Sequence, residues 1–193
     1  MTIERIGVIG AGQMGTGIAH VLALAGYDVM LDDLNKEVLS KALARIEKNM
    51  QRQVAKGAIK EEEIAPALAR IRTTSSMDDL KDRDMVIEAA TEDEAIKKRI
   101  FQDLCTRIAP GCLIATNTSS ISVTRLAAST DRPENFIGLH FMNPVPIMQL
   151  VEVIRGIATN DTTFQAALEI VKRVGKTAAY AEDFPAFIVN RIL

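Results

Sequence analysis

Short apolar runs alternate with longer amphipathic stretches along the chain. The first run, residues 6–9, leads into a glycine-rich turn and an alanine-rich apolar stretch that ends at Gly26, and a second run covers residues 27–31. Short apolar runs bounded by turns predict strands, whereas apolar positions at helical spacing predict helices. The beginning of the chain therefore predicts a strand, a tight turn, a helix and a second strand, which together make one βαβ unit.

The same alternation continues through the rest of the chain. Apolar positions at helical spacing predict helices at residues 36–57, 61–70 (with Pro66 as a defect), 95–108 and 164–174. Short apolar runs predict strands at residues 85–87, 112–115, 136–141, 150–154 and 177–181. Strands that alternate with helices indicate an α/β fold, and we expect a Rossmann-type, doubly wound, mostly parallel sheet with flanking helices.

The C-terminal residues, 187–193, form an apolar stretch that predicts the first turns of another helix. We therefore expect residues 1–185 to form the Rossmann domain and residues 186–193 to begin a truncated helical C-terminal domain. On this interpretation the natural chain continues beyond Leu193.

Composition narrows the class of protein without identifying it. The 193 residues include 23 basic and 25 acidic side chains, with a net charge of −2, which gives no electrostatic footprint for a nucleic-acid or membrane partner. No apolar run reaches the roughly 18 residues of a membrane span, and the N-terminus lacks the pattern of a signal peptide. We expect a cytoplasmic protein without a metal site, in which Cys105 and Cys112 are small core residues.

Three glycines follow the first predicted strand with the spacing Gly10-x-Gly12-x-x-Gly15. The first glycine allows the tight turn, the second lets a pyrophosphate approach the backbone, and the third lets helix and strand pack closely. The unpaired N–H groups and the positive dipole end of the helix then favour a diphosphate. The spacing predicts a dinucleotide site; the alternatives are a turn that only packs tightly and a flavin cofactor.

An acidic pair ends the second predicted strand, about 20 residues beyond the glycine motif. A carboxylate there accepts hydrogen bonds from the adenosine ribose hydroxyls, and Asp33 is our first choice for it, with Asp32 as the alternative. Two adjacent acids with no arginine beside them would repel a 2′-phosphate. The sequence therefore predicts NAD rather than NADP as the cofactor.

His140 lies near the end of the strand predicted at residues 136–141. Ligands of open α/β sheets collect at the carboxyl ends of strands, and histidine is the natural base for a hydroxyl proton near neutral pH. Glu152 falls inside the next apolar strand, where a carboxylate is costly to bury unless it is paired. We predict that it pairs with His140; the alternative is an exposed edge strand with Glu152 facing water.

Other polar residues near predicted strand ends leave two interpretations open. Glu88 lies within a strand-like run and Glu92 just after it, so that each suits either a paired or a solvent-facing carboxylate. Residues 117–120 carry amide and hydroxyl groups that suit either a ligand or the cap of a following helix. His20, the other histidine, lies within the apolar helix, and we expect it to have a packing role.

Several of these stretches occur together in one family. They are residues 6–15, 86–90, 117–120, 138–146 (GLHFMNPVP), 150–154 and 187–191. Together they resemble the 3-hydroxyacyl-CoA dehydrogenases, including the short-chain 3-hydroxybutyryl-CoA type. The first stretch is common to many dinucleotide-binding proteins, whereas the block around His140 and the final block are far more specific. The resemblance covers essentially the whole chain.

The resemblance implies roles for individual residues. His140 is the general base and Glu152 its partner, while Ser119 and Asn190 contact the substrate oxygen and the thioester region. The cofactor-binding residues are those of the glycine turn and five residues further along the chain: Gly10, Gly12, Gln13, Met14, Gly15, Asp33, Glu92, Lys97, Ser119 and Asn143. Lys56 resembles a lysine that holds CoA phosphates, and Asn49 stands where some members carry a serine for CoA.

The activity that the resemblance implies is the oxidation of an (S)-3-hydroxyacyl-CoA thioester to the 3-oxoacyl-CoA with NAD. Family members carry a further helical domain that closes the acyl site and forms most of the dimer interface, so we expect the full-length protein to be a homodimer. One alternative is a hydroxy-acid dehydrogenase with a catalytic lysine in a helical domain. The other is an NAD-binding fragment or scaffold without turnover.

Overall fold

The computed structural model describes residues 2–183 and residue 187. The strands are β1 (Arg5–Ile9), β2 (Asp28–Asp32), β3 (Ile71–Thr74), β4 (Met85–Glu88), β5 (Leu113–Thr116), β6 (Phe136–Phe141), β7 (Leu150–Arg155) and β8 (Thr177–Glu182). The α-helices are α1 (Gln13–Leu24), α2 (Lys36–Ala55), α3 (Ile64–Ala69), α4 (Glu94–Cys105), α5 (Val123–Ala127) and α6 (Asp161–Arg173). Short 3-10 segments lie at Glu61–Glu63, Met77–Leu80 and Pro133–Asn135. The predicted boundary at residue 185 and the helix expected after it lie outside the described residues.

The strands form one sheet in the order β3-β2-β1-β4-β5-β6-β7-β8. Neighbouring strands are parallel except for β6 and β7, which are antiparallel. The order from β3 to β6 is that of a doubly wound dinucleotide-binding fold, and it reverses between β1 and β4. The structure therefore confirms the predicted fold and places the ligand crevice at the carboxyl ends of β1 and β4.

Helices cover both faces of the sheet, and its central strands are therefore apolar along most of their length. Every residue of β4 and of β6 is buried, as expected for strands with a helical layer on each side. The buried apolar residues form two clusters, to which alternate residues of each strand contribute. The sheet thus separates two cores, one under α1, α2 and α6 and the other under α4 and α5.

The hydrophobic pattern did not predict β3. This strand lies at one edge of the sheet beside β2, and its middle residues, Arg72 and Thr73, are exposed. Arg72 forms an ion pair with Asp28 of β2, with 2.9 Å between Nη2 and Oδ2. Because an edge strand has a solvent side and charged residues are common there, it lacks the continuous apolar run that marks the central strands.

The stretch at residues 61–70 is a 3-10 turn followed by α3. Pro66 lies in the first turn of α3, where a backbone N–H has no partner within the helix. The interruption of the predicted helix therefore lies before Pro66, between the 3-10 turn and α3, and not at the proline itself.

The cysteines differ in their surroundings. Cys112 is buried just before β5, and burial raises the pKa of its thiol to about 12, so that it is a core residue as predicted. Cys105, at the end of α4, is only half-buried. Within the described part of the chain, no helix has the length and apolar character needed to cross a membrane.

Candidate active site

The glycine turn joins β1 to α1 at the point where the strand order reverses. Gly10 has a φ of +96°, and a Cβ atom there would lie 2.6 Å from the Cα atom of Ala90 after β4. A Cβ atom on Gly15 would collide with the carbonyl oxygen of Gly10, whereas one on Gly12 would have no atom within 4 Å. The first and third glycines are therefore required for packing, and the second opens the turn to a ligand.

The N-terminus of α1 differs from those of the other long helices. The helices α2, α4 and α6 each begin with a side chain that accepts a backbone N–H: Asn35, Asp93 and Asn160. In contrast, α1 begins after Gly12 with no side-chain cap and no acidic residue in its first turn. Among the described residues, its first N–H groups thus have no side-chain acceptor, which is the arrangement that binds a diphosphate.

Asp33 and Asp32 have different positions at the end of β2. The Asp33 carboxylate is half-buried and accepts the N–H of Ala11 in the glycine turn at 2.9 Å and the N–H of Asn35 at 2.9 Å. Asp32 is only 2% exposed, and burial, followed by the nearby charge of Asp33, raises its pKa to about 6. Of the two acids, Asp33 is therefore the one placed to reach a ribose beside the turn.

His140 and Glu152 lie directly opposite each other on the antiparallel strands β6 and β7. His140 Nδ1 lies 2.6 Å from Glu152 Oε2, the Glu152 side chain is fully buried, and the His140 side chain is 11% exposed. Because β7 lies between β6 and β8, the alternative of an exposed edge strand is wrong. The carboxylate favours the tautomer with a proton on Nδ1, which leaves Nε2 as the proton acceptor.

One aromatic contact and one hydrogen bond lie beside this pair. The ring of Phe187 lies with its centroid 6.2 Å from that of His140. Asn117, after β5, accepts the N–H of Phe141 through its side chain at 2.9 Å. Asn117 thereby joins the end of β5 to the residue that follows His140.

Glu92 holds the loop that carries Ser119. One carboxylate oxygen of Glu92 accepts the hydroxyl of Thr118 at 2.6 Å, the N–H of Ser119 at 2.8 Å and the hydroxyl of Ser119 at 2.9 Å. Burial raises the pKa of Glu92, but these hydrogen bonds outweigh it and hold the pKa below its ordinary value. The cap of α5 is Ser122. The hydroxyl groups of Thr118 and Ser119 therefore bind the Glu92 carboxylate and do not cap α5.

Lys97, which the resemblance predicts as a cofactor contact, lies among protein groups in the structure. Its side chain is fully buried and forms an ion pair with Glu88 of β4. Its ammonium also donates to the carbonyl oxygen of Asn117. The Lys97 ammonium is therefore bound by protein groups, and its side chain has no exposed surface.

A cleft of about 370 Å³ lies between α1, α2 and the loop that follows β6. Gln13 donates to the Asn143 side chain across its edge at 2.9 Å. Asn49 and Arg45 of α2 line the cleft, whereas Lys56 is exposed at the C-terminal end of α2. Arg45 was not predicted, although it lies one turn before Asn49 and therefore on the same helical face.

The remaining predicted residues have simple placements. Met14 is half-buried in the first turn of α1. His20 is fully buried, with Nε2 2.8 Å from the side-chain oxygen of Gln53, in agreement with a packing role. Asn190 lies outside the described residues. Within those residues, no group of three or more His, Cys, Asp or Glu side chains is arranged to hold a metal ion.

Comparison with known proteins adds an independent observation. Residues 5–184 match the family model described as 3-hydroxyacyl-CoA dehydrogenase, NAD binding domain. A 3-hydroxybutyryl-CoA dehydrogenase of Bradyrhizobium diazoefficiens is 58% identical over 99% of this chain and 65% of its own length. One of Clostridioides difficile is 42% identical over 98% of this chain and 67% of its own length. The crystal structure of (S)-3-hydroxybutyryl-CoA dehydrogenase from Ralstonia eutropha has a TM-score of 0.96 at 44% identity and covers 99% of this chain and 68% of its own.

The chain thus spans about two thirds of the length of these relatives. The family model covers nearly the whole chain, and its described domain agrees with the glycine turn, the uncapped helix and the sheet order found here. This chain belongs to the 3-hydroxyacyl-CoA dehydrogenase family and corresponds to its NAD-binding domain.

Proposed function

We propose that this chain carries the cofactor site and the catalytic pair of an NAD-dependent dehydrogenase that oxidises (S)-3-hydroxyacyl-CoA thioesters, 3-hydroxybutyryl-CoA among them, to 3-oxoacyl-CoA. The observation that carries the proposal is the buried His140–Glu152 pair at 2.6 Å. It lies toward the carboxyl end of β6, on the side of the sheet where the glycine turn lies. The names of the relatives support a CoA thioester as the substrate class.

The crevice fits NAD by the chemistry of its groups. The open space at Gly12 and the uncapped N–H groups of α1 suit a diphosphate. The carboxylate of Asp33, held beside the same turn by Ala11, suits ribose hydroxyls and disfavours a 2′-phosphate. When bound there, NAD supplies a nicotinamide that accepts hydride from C3 of the substrate.

His140 removes the hydroxyl proton from the substrate through Nε2, because Nδ1 is held by Glu152. The buried carboxylate stabilises the imidazolium that forms and keeps the ring in one orientation. The His140 side chain is only 11% exposed, which limits contact of the ring with water.

Ser119 and Asn190 divide the remaining polar roles. The Ser119 hydroxyl donates its proton to Glu92, so that its oxygen would contact the amide of a nicotinamide as an acceptor. We therefore assign to Asn190 the donation of a hydrogen bond to the substrate oxygen, and to Ser119 a contact with both the cofactor and the substrate. We assign Asn143, whose side chain accepts a hydrogen bond from Gln13, to the junction of cofactor and substrate.

The CoA portion of the substrate has basic and polar groups along α2. Arg45 and Asn49 line the cleft beside Asn143, and Lys56 extends the same helix toward solvent. Cationic side chains on an exposed helix face hold phosphate groups by charge-assisted hydrogen bonds. We assign the CoA phosphates to this face.

For the whole protein we propose a homodimer in the cytoplasm. The resemblance to a family whose helical domain forms the dimer interface supports the first point. The presence of two free thiols, Cys105 and Cys112, supports a reducing compartment.

The test is turnover of NADH with acetoacetyl-CoA, followed at the NADH absorbance band. It is run on the chain and on a fusion of the chain to the remaining third of the Bradyrhizobium relative. The sequence contains no tryptophan, so NADH binding is measured separately by calorimetry. We expect His140→Gln to lower turnover by about a thousandfold with NADH affinity unchanged, since general bases contribute on the order of 10²–10⁴. Thr162→Ala, at an exposed position in the first turn of α6, is the control.

Three outcomes separate the alternatives. Normal turnover by the His140→Gln variant would overturn the assigned base. NADH binding without turnover in both forms would indicate the scaffold without catalysis. Turnover of free hydroxy acids in preference to CoA thioesters would indicate the hydroxy-acid dehydrogenase type.

A further inference from the structure

A fully buried ion pair lies below the ligand crevice. Lys97 of α4 and Glu88 of β4 have no exposed side-chain surface, and Lys97 Nζ lies 2.5 Å from Glu88 Oε2. Nζ also lies 3.3 Å from the Thr116 hydroxyl and 3.3 Å from the carbonyl oxygen of Asn117. Thr116 in turn donates to Glu88 Oε2 at 2.9 Å. All three ammonium protons therefore have an acceptor within the protein.

This pair is connected to the ends of three strands. Glu88 Oε1 accepts the N–H of Ala90 at 2.8 Å, and Ala90 is the residue that leaves no room for a side chain at Gly10. Asn117, whose carbonyl oxygen Lys97 holds, accepts the N–H of Phe141 through its side chain at 2.9 Å. The glycine turn, the end of β5 and the end of β6 beside His140 are thus linked to one pair of charges.

Stability alone does not account for a charge pair at this place. Transferring each ion from water into the interior costs several kcal/mol, and apolar residues of similar volume often stabilise a protein as well. An ion pair differs from such residues in that its hydrogen bonds are directional. Here they fix the backbone at Ala90, just after β4, and at Asn117, just after β5.

We propose that Lys97 and Glu88 are positioning residues for NAD. They hold in place Ala90, which packs against Gly10 of the glycine turn, and Asn117, which follows β5. Lys97 then acts on the cofactor through its neighbours and not by contact. This inference rests on the NAD-binding part of the proposed function.

The test is a double-mutant cycle on NADH affinity. The variants are Lys97→Met, Glu88→Gln and the double variant, and the control is Lys98→Met, which removes the adjacent, partly exposed lysine paired with Glu94. The dissociation constant of NADH is measured by calorimetry well below the thermal midpoint of each variant. At that temperature a loss of global stability alone leaves the affinity unchanged, whereas a displaced turn weakens it.

We expect each single variant to bind NADH about tenfold more weakly, because each leaves one buried charge without its partner. The double variant has no buried charge, and its amide still accepts from Ala90, so we expect its affinity to return to within about threefold of the native value. The control is expected to bind as the native chain does.

Direct contact between Lys97 and NADH predicts the opposite pattern. Glu88→Gln, which keeps the ammonium, would then bind as tightly as the native chain or more tightly, and the double variant would be as weak as Lys97→Met. Either result overturns the proposal, and where a single variant does not fold the double variant decides between them. A native chain that does not bind NADH would instead overturn the NAD site itself.

Discussion

Two aspartates show how local surroundings decide the effect of one side-chain type. Asp32 has an oxygen, Oδ1, with no hydrogen-bond partner among the described residues, and its pKa is raised to about 6 by burial and then by Asp33 and Asp79. For Asp183 burial acts in the same direction, but hydrogen bonds from the start of α5 outweigh it and lower the pKa. Ionised Asp32 therefore destabilises the fold, whereas ionised Asp183 stabilises it.

We expect Asp32→Asn to change how stability depends on pH. The native carboxyl releases its proton at about pH 6 and the unfolded one near 3.8, so the native state binds more protons between these values. The contribution of Asp32 to stability thus falls as pH rises from about 4 to 6, by about 2 to 3 kcal/mol for a shift of about two units.

The measurement is urea unfolding of the native chain and the variant from pH 4 to 7. The asparagine variant is expected to gain stability relative to the native chain across that interval, by about 2 to 3 kcal/mol. A difference between the two proteins that stays constant with pH would contradict the assignment.

Glu152→Gln tests the partner of the base. The amide retains the volume and an oxygen near His140 Nδ1 but not the charge that stabilises an imidazolium, so we expect turnover to fall about a hundredfold or more. Calorimetry is expected to give an unchanged NADH affinity, since Glu152 lies away from the glycine turn in the sheet order. Glu169→Gln, on the exposed face of α6, is the control, and equal activity of both variants would remove Glu152 from the mechanism.

The sequence predicts some of these residues and not others for physical reasons. A glutamate inside an apolar strand requires a partner, and for this reason the sequence predicts the His140–Glu152 pair. Lys97 gives no comparable indication, because its partner Glu88 belongs to another element and only the packing of α4 on the sheet brings them together. Asn117 was assigned only as a general polar residue, since its bond to Phe141 depends on the distance between two strand ends.

Among the secondary-structure elements, the start of α1 and the start of α5 are opposites. The N-terminus of α1 has no side-chain acceptor among the described residues. At α5, the Asp183 carboxylate accepts the Ser122 hydroxyl at 2.7 Å and the N–H groups of Val123 and Thr124 at 2.9 and 2.8 Å. One helix end is thus left for a ligand, and the other is closed by the protein itself.

Gly12→Ala separates binding from stability at the first of these ends. Gly12 has a φ of −67°, which alanine adopts without strain, and an added Cβ atom meets no atom within 4 Å. We expect the thermal midpoint to be unchanged and NADH to bind at least about tenfold more weakly, because the Cβ atom occupies the approach of the pyrophosphate.

The control for this variant is Gly111→Ala, an exposed glycine whose added Cβ atom also meets nothing within 4 Å. This variant should change neither the thermal midpoint nor the affinity for NADH. Undiminished NADH affinity in Gly12→Ala would show that the diphosphate does not lie over this turn.

Asp183→Ala tests the closed end. Loss of the Asp183 carboxylate leaves three donors at the start of α5 without this acceptor. We expect the free energy of unfolding to fall by about 1 to 3 kcal/mol at neutral pH. Because the pKa of Asp183 is lowered in the native state, its contribution is present above the unfolded pKa and is lost as pH falls through the native one. Chemical unfolding at pH 7 and at about pH 3 should therefore show that the free energies of unfolding of the native chain and the variant differ less at the lower pH.

Across the chain as a whole, the sheet determines which distant segments meet. The order of its strands brings the glycine turn, Asp33, the Ser119 loop and His140 to one edge, although they are far apart in sequence. Alternating strands and helices were enough to predict this class of fold. The edge strand β3 was missed because two of its four residues face solvent, and the antiparallel direction of β7 follows from tertiary packing, which has no periodicity in sequence.

The reversal between β6 and β7 has a consequence for how this protein can change. The register of two strands sets the His140–Glu152 pair, whereas the loop between those strands lines the cleft with Asn143, Pro144, Val145 and Pro146. Loops tolerate substitution and insertion better than the elements they connect. An insertion in this loop would therefore leave His140 opposite Glu152 while displacing Asn143 from Gln13, so that the placement of the ligands can change without loss of the acid–base pair.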